Sequence, residues 1–146
     1  MDGATKSTRD LAILLLDFEL EEGEGLTELT HAVESAFKKL CLHLSRRMGS
    51  SGYRALLTRS LALAAADTPW VGAIHAAGDG TMEGFADAAQ SQTLSDSLEG
   101  SIAMIANFIG LLDTFVGRDL SMRLLSDVWP AAIPFDQDSA KDNSNG

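Results

Sequence analysis

Three histidines and one cysteine are the side chains of this 146-residue chain best suited to metal binding or nucleophilic chemistry: His31, His43, His75 and Cys41. A catalytic or structural zinc site needs three or four such ligands at one point, often delivered by short helical spacings such as His-Glu-x-x-His. His31 and His43 are twelve residues apart on one helical stretch, about 18 Å along its axis, so they cannot share an ion. A single cysteine makes neither an intramolecular disulfide nor a cysteine-based zinc cluster. No Gly-x-Ser-x-Gly or P-loop pattern occurs, and Asp79-Gly80 lacks the further oxygen ligands and closing glutamate of a calcium loop. These absences predict a non-enzymatic protein with no catalytic residues, no metal and no cofactor. The histidines are expected at the surface or at helix ends, and Cys41 is expected to be a buried, inert thiol.

Two all-helical classes of this length fail on the same residues. A histidine phosphotransfer domain sets its phosphoacceptor in a His-x-x-Lys-Gly context, whereas His31 is followed by Ala32, Val33 and Glu34, and His43 and His75 fit no better. A haem globin needs an axial histidine later in the chain, and the central and final helical segments carry none.

Charge is more informative than chemistry. The chain has a formal net charge of −10, which disfavours nucleic acid and anionic membrane surfaces. Yet the interval 35–66 holds no acidic residue and six of the eleven basic ones: Lys38, Lys39, Arg46, Arg47, Arg54 and Arg59. The remainder carries five basic and all twenty-one acidic residues, a balance of −16. One explanation is internal neutralisation by acids such as Asp96, Glu99 and Asp113. The other is a binding surface, with Arg46, Arg47, Arg54 and Arg59 receiving an acidic segment of a protein partner, and free amides near 50–52 adding to an anion site. The expected function is therefore a cytoplasmic interaction or regulatory module of the signal-transduction type, acting alone or as a homodimer. The alternative, from a different class, is a small-molecule-sensing domain with a ligand cavity between helices. An exposed apolar patch favours the first and an internal cavity with convergent polar groups the second.

The elements that must position these residues follow from periodicity. Leu94, Leu98, Ile102, Ile105, Ile109, Leu112 and Val116 recur at spacings of four and three, and Met104, Phe108, Leu111 and Phe115 form a second stripe beside them. Ala103, Ala106 and Gly110 occupy the opposite side, so this helix is predicted to run through the centre of a bundle from about Ala86 to Val116. A helix capped by Thr27 buries Leu29, Val33, Ala36, Phe37, Leu40 and Leu44 and stops at Gly49. A short serine-glycine loop leads to a second helix over 53–66, ended by Thr68-Pro69, the two forming an antiparallel hairpin. A final helix capped by Asp119 turns Leu120, Leu124, Leu125 and Val128 inward and ends at Trp129-Pro130.

The fold expected is all-α: a single bundle of about four main helices over 26–135, with either a small β-hairpin or a glycine-rich loop at 70–85. Residues 1–25 read as a leader, with a short helix whose inner face is Leu11, Leu14, Leu15 and Phe18. Glu19, Glu21, Glu22 and Glu24 then form a solvated acidic linker. No secretory signal is convincing, because acids flank the apolar run at 11–16. The segment 101–117 is shorter than the ~20 residues of a membrane span and is interrupted by Asn107 and Asp113. Residues 136–146 contain no large apolar side chain and are expected to be disordered. Truncation after Phe135 should therefore leave the melting temperature unchanged. A fall of several degrees in a thermal scan would show that the tail docks on the bundle.

Overall fold

Helix α4 (Leu94–Val116) runs through the middle of the molecule, and between Ser101 and Leu112 every side chain except Ala103 and Leu111 is buried. The structure is a computed structural model that describes residues 5–20, 25–78 and 81–133. Around α4 lie α1 (Lys6–Glu19), α2 (Leu26–Asp67), a 3-10 turn (Pro69–Ala73), a ribbon of β1 (His75–Ala76) and β2 (Met82–Glu83), α3 (Phe85–Gln90) and α5 (Arg118–Val128). The fold is an all-α bundle with a very small two-stranded sheet. Ile105 and Ile109 are 1% and 0% exposed, which is the burial their spacing predicts. Among the described residues α4 is also the one helix long and apolar enough to cross a membrane, and 61% of that stretch is buried in the bundle.

The ends of α4 depart from the simple stripe. Leu94 and Leu98 are substantially exposed and Phe115 is 65% exposed, whereas Ser97 and Gly100 of the same first turns are buried, so the covered side of the helix start is not the leucine stripe. The helix also starts later than Ala86. Residues 91–93 turn after α3, Thr93 accepts a hydrogen bond from the Asp96 amide (3.0 Å), and the Ser97 hydroxyl donates to the Ala89 carbonyl (2.9 Å). A good N-cap makes a new helix cheaper than a continuous one.

Helix α2 folds back on itself at Gly49. That residue has φ 80° and ψ 159°, a region open almost only to glycine. The Tyr53 hydroxyl donates to the Phe37 carbonyl at 3.1 Å, whereas sixteen residues of straight helix would separate them by about 24 Å. Burial pushes the Tyr53 phenol far above its usual range, so it stays a neutral donor. Phe37 and Tyr53 both lean on Phe108, with ring centroids 5.9 and 5.6 Å away. The expected hairpin is thus present, but its loop is not: residues 50–52 are already the first turn of the second arm. Nor does Thr27 cap the first arm. Gly25 does, and Thr27 lies exposed in the first turn.

The helix of the N-terminal leader packs on the bundle and contributes to its core. Thr5 and Thr8 form a reciprocal capping box, and Thr8, Ala12, Leu15 and Leu16 are buried, largely against α4. The inner face differs from the one expected, since Leu14 and Phe18 are 43% and 39% exposed. Arg9 grips Glu99 of α4 through two parallel bonds of 2.8 and 2.9 Å. Of the acidic linker, residues 21–24 lie outside the described residues.

Of the two readings of 70–85, a minimal antiparallel ribbon forms, pairing His75 with Glu83 and Ala76 with Met82. It is held to the bundle by the preceding turn. Trp70 lies against Gly100, where an added Cβ would come within 2.3 Å of the indole, so α4 needs a glycine there. Gly117 (φ 91°, ψ 152°) makes a second single-residue corner into α5. It also takes the N-cap position expected of Asp119, which sits in the first turn. Leu124 and Leu125 face inward as expected, whereas Leu120 is 39% exposed. The predicted tail, 136–146, lies outside the described residues.

Two measurements check this architecture. Ile109→Ala should cost about 2–4 kcal/mol in chemical denaturation, through lost contact and a residual cavity. The Arg9 guanidinium holds the Glu99 carboxyl below its usual range, chiefly by hydrogen bonding. A depressed carboxylate stabilises the fold above its unfolded pKa, near 4.3, and loses that contribution as pH falls through the folded value. Because both side chains are about half exposed, Glu99→Gln should cost no more than about 0.5 kcal/mol at pH 7. The difference from the parent chain should vanish on acidification below pH ~4.

Candidate functional site

The four arginines expected to bind a partner are all exposed and sit on either side of the Gly49 corner. Arg46 and Arg47 belong to the last turn of the first arm. Arg54 and Arg59 belong to the second arm, where they line a shallow depression of about 500 Å³ together with Ser51, Ala55, Thr58 and Ala62. The structure thus brings Arg54 and Arg59 together, while Arg46 and Arg47 stand on the other arm and do not line the depression. Among the described residues none of the four forms an ion pair.

Two of the acids proposed to neutralise them internally are engaged elsewhere. Glu99 is held by Arg9, and Asp113 by the Arg118 Nε at 2.8 Å. Among the described residues, Lys39 is the one member of the basic interval drawn into an ion pair, with Nζ 2.5 Å from Glu19 Oε2. Internal neutralisation therefore describes Lys39 and leaves the arginines out.

Glu19, expected among the solvated acids, is 7% exposed at its side chain. Its Oε2 also accepts from the Trp129 indole N–H at 2.6 Å, so one carboxylate ties α1, α2 and the residue closing α5. A signal for this existed in the spacing. Glu19 continues the line Thr8, Ala12, Leu15 at steps of four and three, which is the buried line of α1.

A second concavity, of about 370 Å³, opens between the first arm of α2 and β2. Phe37, Cys41, Leu42 and Met82 form its apolar lining, with Glu34, Lys38 and Thr81 at its edge. Cys41 is consequently half-buried rather than enclosed, with its Sγ 3.8 Å from the Ser45 hydroxyl. His31, His43 and His75 are exposed, and His43 Nδ1 lies 3.2 Å from the Lys39 carbonyl. Among the described residues no three His, Cys, Asp or Glu side chains converge as a metal site would require.

No protein-family model, no curated protein and no solved structure matches this chain.

Proposed function

We propose that this chain is a non-enzymatic interaction or regulatory module whose basic α2 corner engages an acidic segment of a protein partner. The observation that carries this reading is that Arg46, Arg47, Arg54 and Arg59 are exposed and free of ion pairs among the described residues, in a chain of net charge −10. Exposed guanidinium groups without ion-pair partners attract carboxylates and pair with them bidentately. Screening beyond ~8 Å at physiological ionic strength hides the distant acids of the chain but not a direct contact. A cytoplasmic setting fits a chain with a single half-buried thiol.

A second reading, a sensor of a small apolar molecule, is favoured by the cleft beside Cys41, whose volume falls within the range of ligand sites. Native mass spectrometry separates the two by reporting bound ligand and subunit number together.

Fluorescence polarisation with labelled polyglutamate at ionic strength ~0.15 M tests the first reading. The parent chain should bind and should release the peptide as salt is raised. Reversing Arg46, Arg47, Arg54 and Arg59 to glutamate should weaken binding at least tenfold with an unchanged melting temperature. An early-melting variant that still binds polyglutamate would assign the arginines to the fold and overturn the reading.

A further inference from the structure

The outer face of α1 is a second exposed surface, and it is built unlike the basic arm. Asp10 and Asp17 are two turns apart on one line of the helix, about 10.5 Å along its axis. Both are exposed, and Asp10 has only a loose pairing with Lys6 at 3.9 Å. Large apolar side chains flank this line: Ile13 at 42% exposure on one side, Leu14 at 43% and Phe18 at 39% on the other. Three large apolar groups around two carboxylates on a solvent-facing helix make an acidic amphipathic ridge, the kind of surface that docks on another helix.

The second arm of α2 offers the complementary shape. Ser51, Ala55, Thr58 and Ala62 recur at steps of four, three and four, so small side chains form a groove along the helix. Arg54 and Arg59 flank that groove on opposite sides, about 140° apart around the axis. The Ser51 and Thr58 hydroxyls are seven residues apart, the same two-turn interval that separates Asp10 from Asp17. Ridge and groove therefore match in two ways: acid against base, and carboxylates against hydroxyl donors at one repeat.

We propose that the acidic partner is a second copy of this chain, whose α1 ridge seats in the groove of the second α2 arm. Asp10 and Asp17 then lie between Arg54 and Arg59, and Ile13, Leu14 and Phe18 lose their contact with water. This rests on the basic-surface reading and names the occupant of that surface. The contact joins unlike faces, so two copies exchange it reciprocally about a two-fold axis, or copies repeat it head-to-tail as a ring or an open chain.

Sedimentation velocity on the full chain, with charge reversal on each face, tests the proposal. The parent should associate with rising concentration and dissociate as salt is raised. D10R/D17R and R54E/R59E should each weaken association at least tenfold, while an equimolar mixture of the two variants recovers it, because each supplies the face the other has lost. Circular dichroism and thermal melting verify that both variants fold, and recovery in the mixture does so independently. Two results would overturn the proposal: a parent chain that is monomeric throughout, or a variant mixture that fails to associate. Polyglutamate binding then tells the two ideas apart. If it persists through the arginines, only the second-copy assignment is lost; if it is absent as well, the basic surface is not a binding site.

Discussion

The structure depends on enclosing a helix that has no solvent-facing side through its middle turns. From Ser101 to Leu112, α4 carries apolar or small residues around almost its whole circumference, including Ser101 and Asn107, whose side chains return hydrogen bonds to the carbonyls four residues earlier. Such a helix is stable only if neighbours cover it on all sides. The two arms of α2 supply Phe37 and Tyr53 against Phe108, α1 supplies Leu15 and Leu16, and α5 supplies Leu124 and Leu125. Removing any one of these neighbours would expose one side of α4, which is why the N-terminal helix belongs to the core although an acidic stretch follows it.

Polar groups in this core are few, and most have partners. Tyr53 donates to a carbonyl left accessible in the first α2 arm, and Glu19 receives both a lysine ammonium and an indole N–H. A carboxylate so nearly buried is tolerated only with charge and hydrogen-bond compensation, and removing one donor leaves the others uncompensated. Glu19 matches one end of α1 to Lys39 and Trp129 and so sets how α1 lies across the bundle.

Much of this was legible in the residues themselves. The α4 stripe spans several turns, so its period is unambiguous, and Ile105 and Ile109 lie where that period puts them. Helix α1 was harder, because Leu11, Ile13, Leu14, Leu15, Leu16 and Phe18 surround it and support two faces equally. The contest is decided by Thr8 and Ala12, small residues that let α1 approach α4 closely, and this only the packing reveals. Gly49 was readable as a stop, but nothing local distinguishes Ser50-Ser51-Gly52 as a loop from the first turn of the next arm. The charge segregation was visible at once; that Lys39 alone turns inward while four arginines stay outside depends on where Glu19 comes to rest.

Gly49 and Gly117 share nearly the same backbone conformation, and each joins two helices with a single residue. A corner of one residue has almost no chain to order. In α2 it is further locked by the bond from Tyr53 to Phe37. The angle between the arm bearing Arg46 and Arg47 and the arm bearing Arg54 and Arg59 is therefore set before any encounter. Recognition at such an elbow forgoes the loop-ordering entropy that a flexible basic segment would lose on binding. If the corner binds as proposed, the angle between two rigid rods limits which partners fit, in addition to their charge.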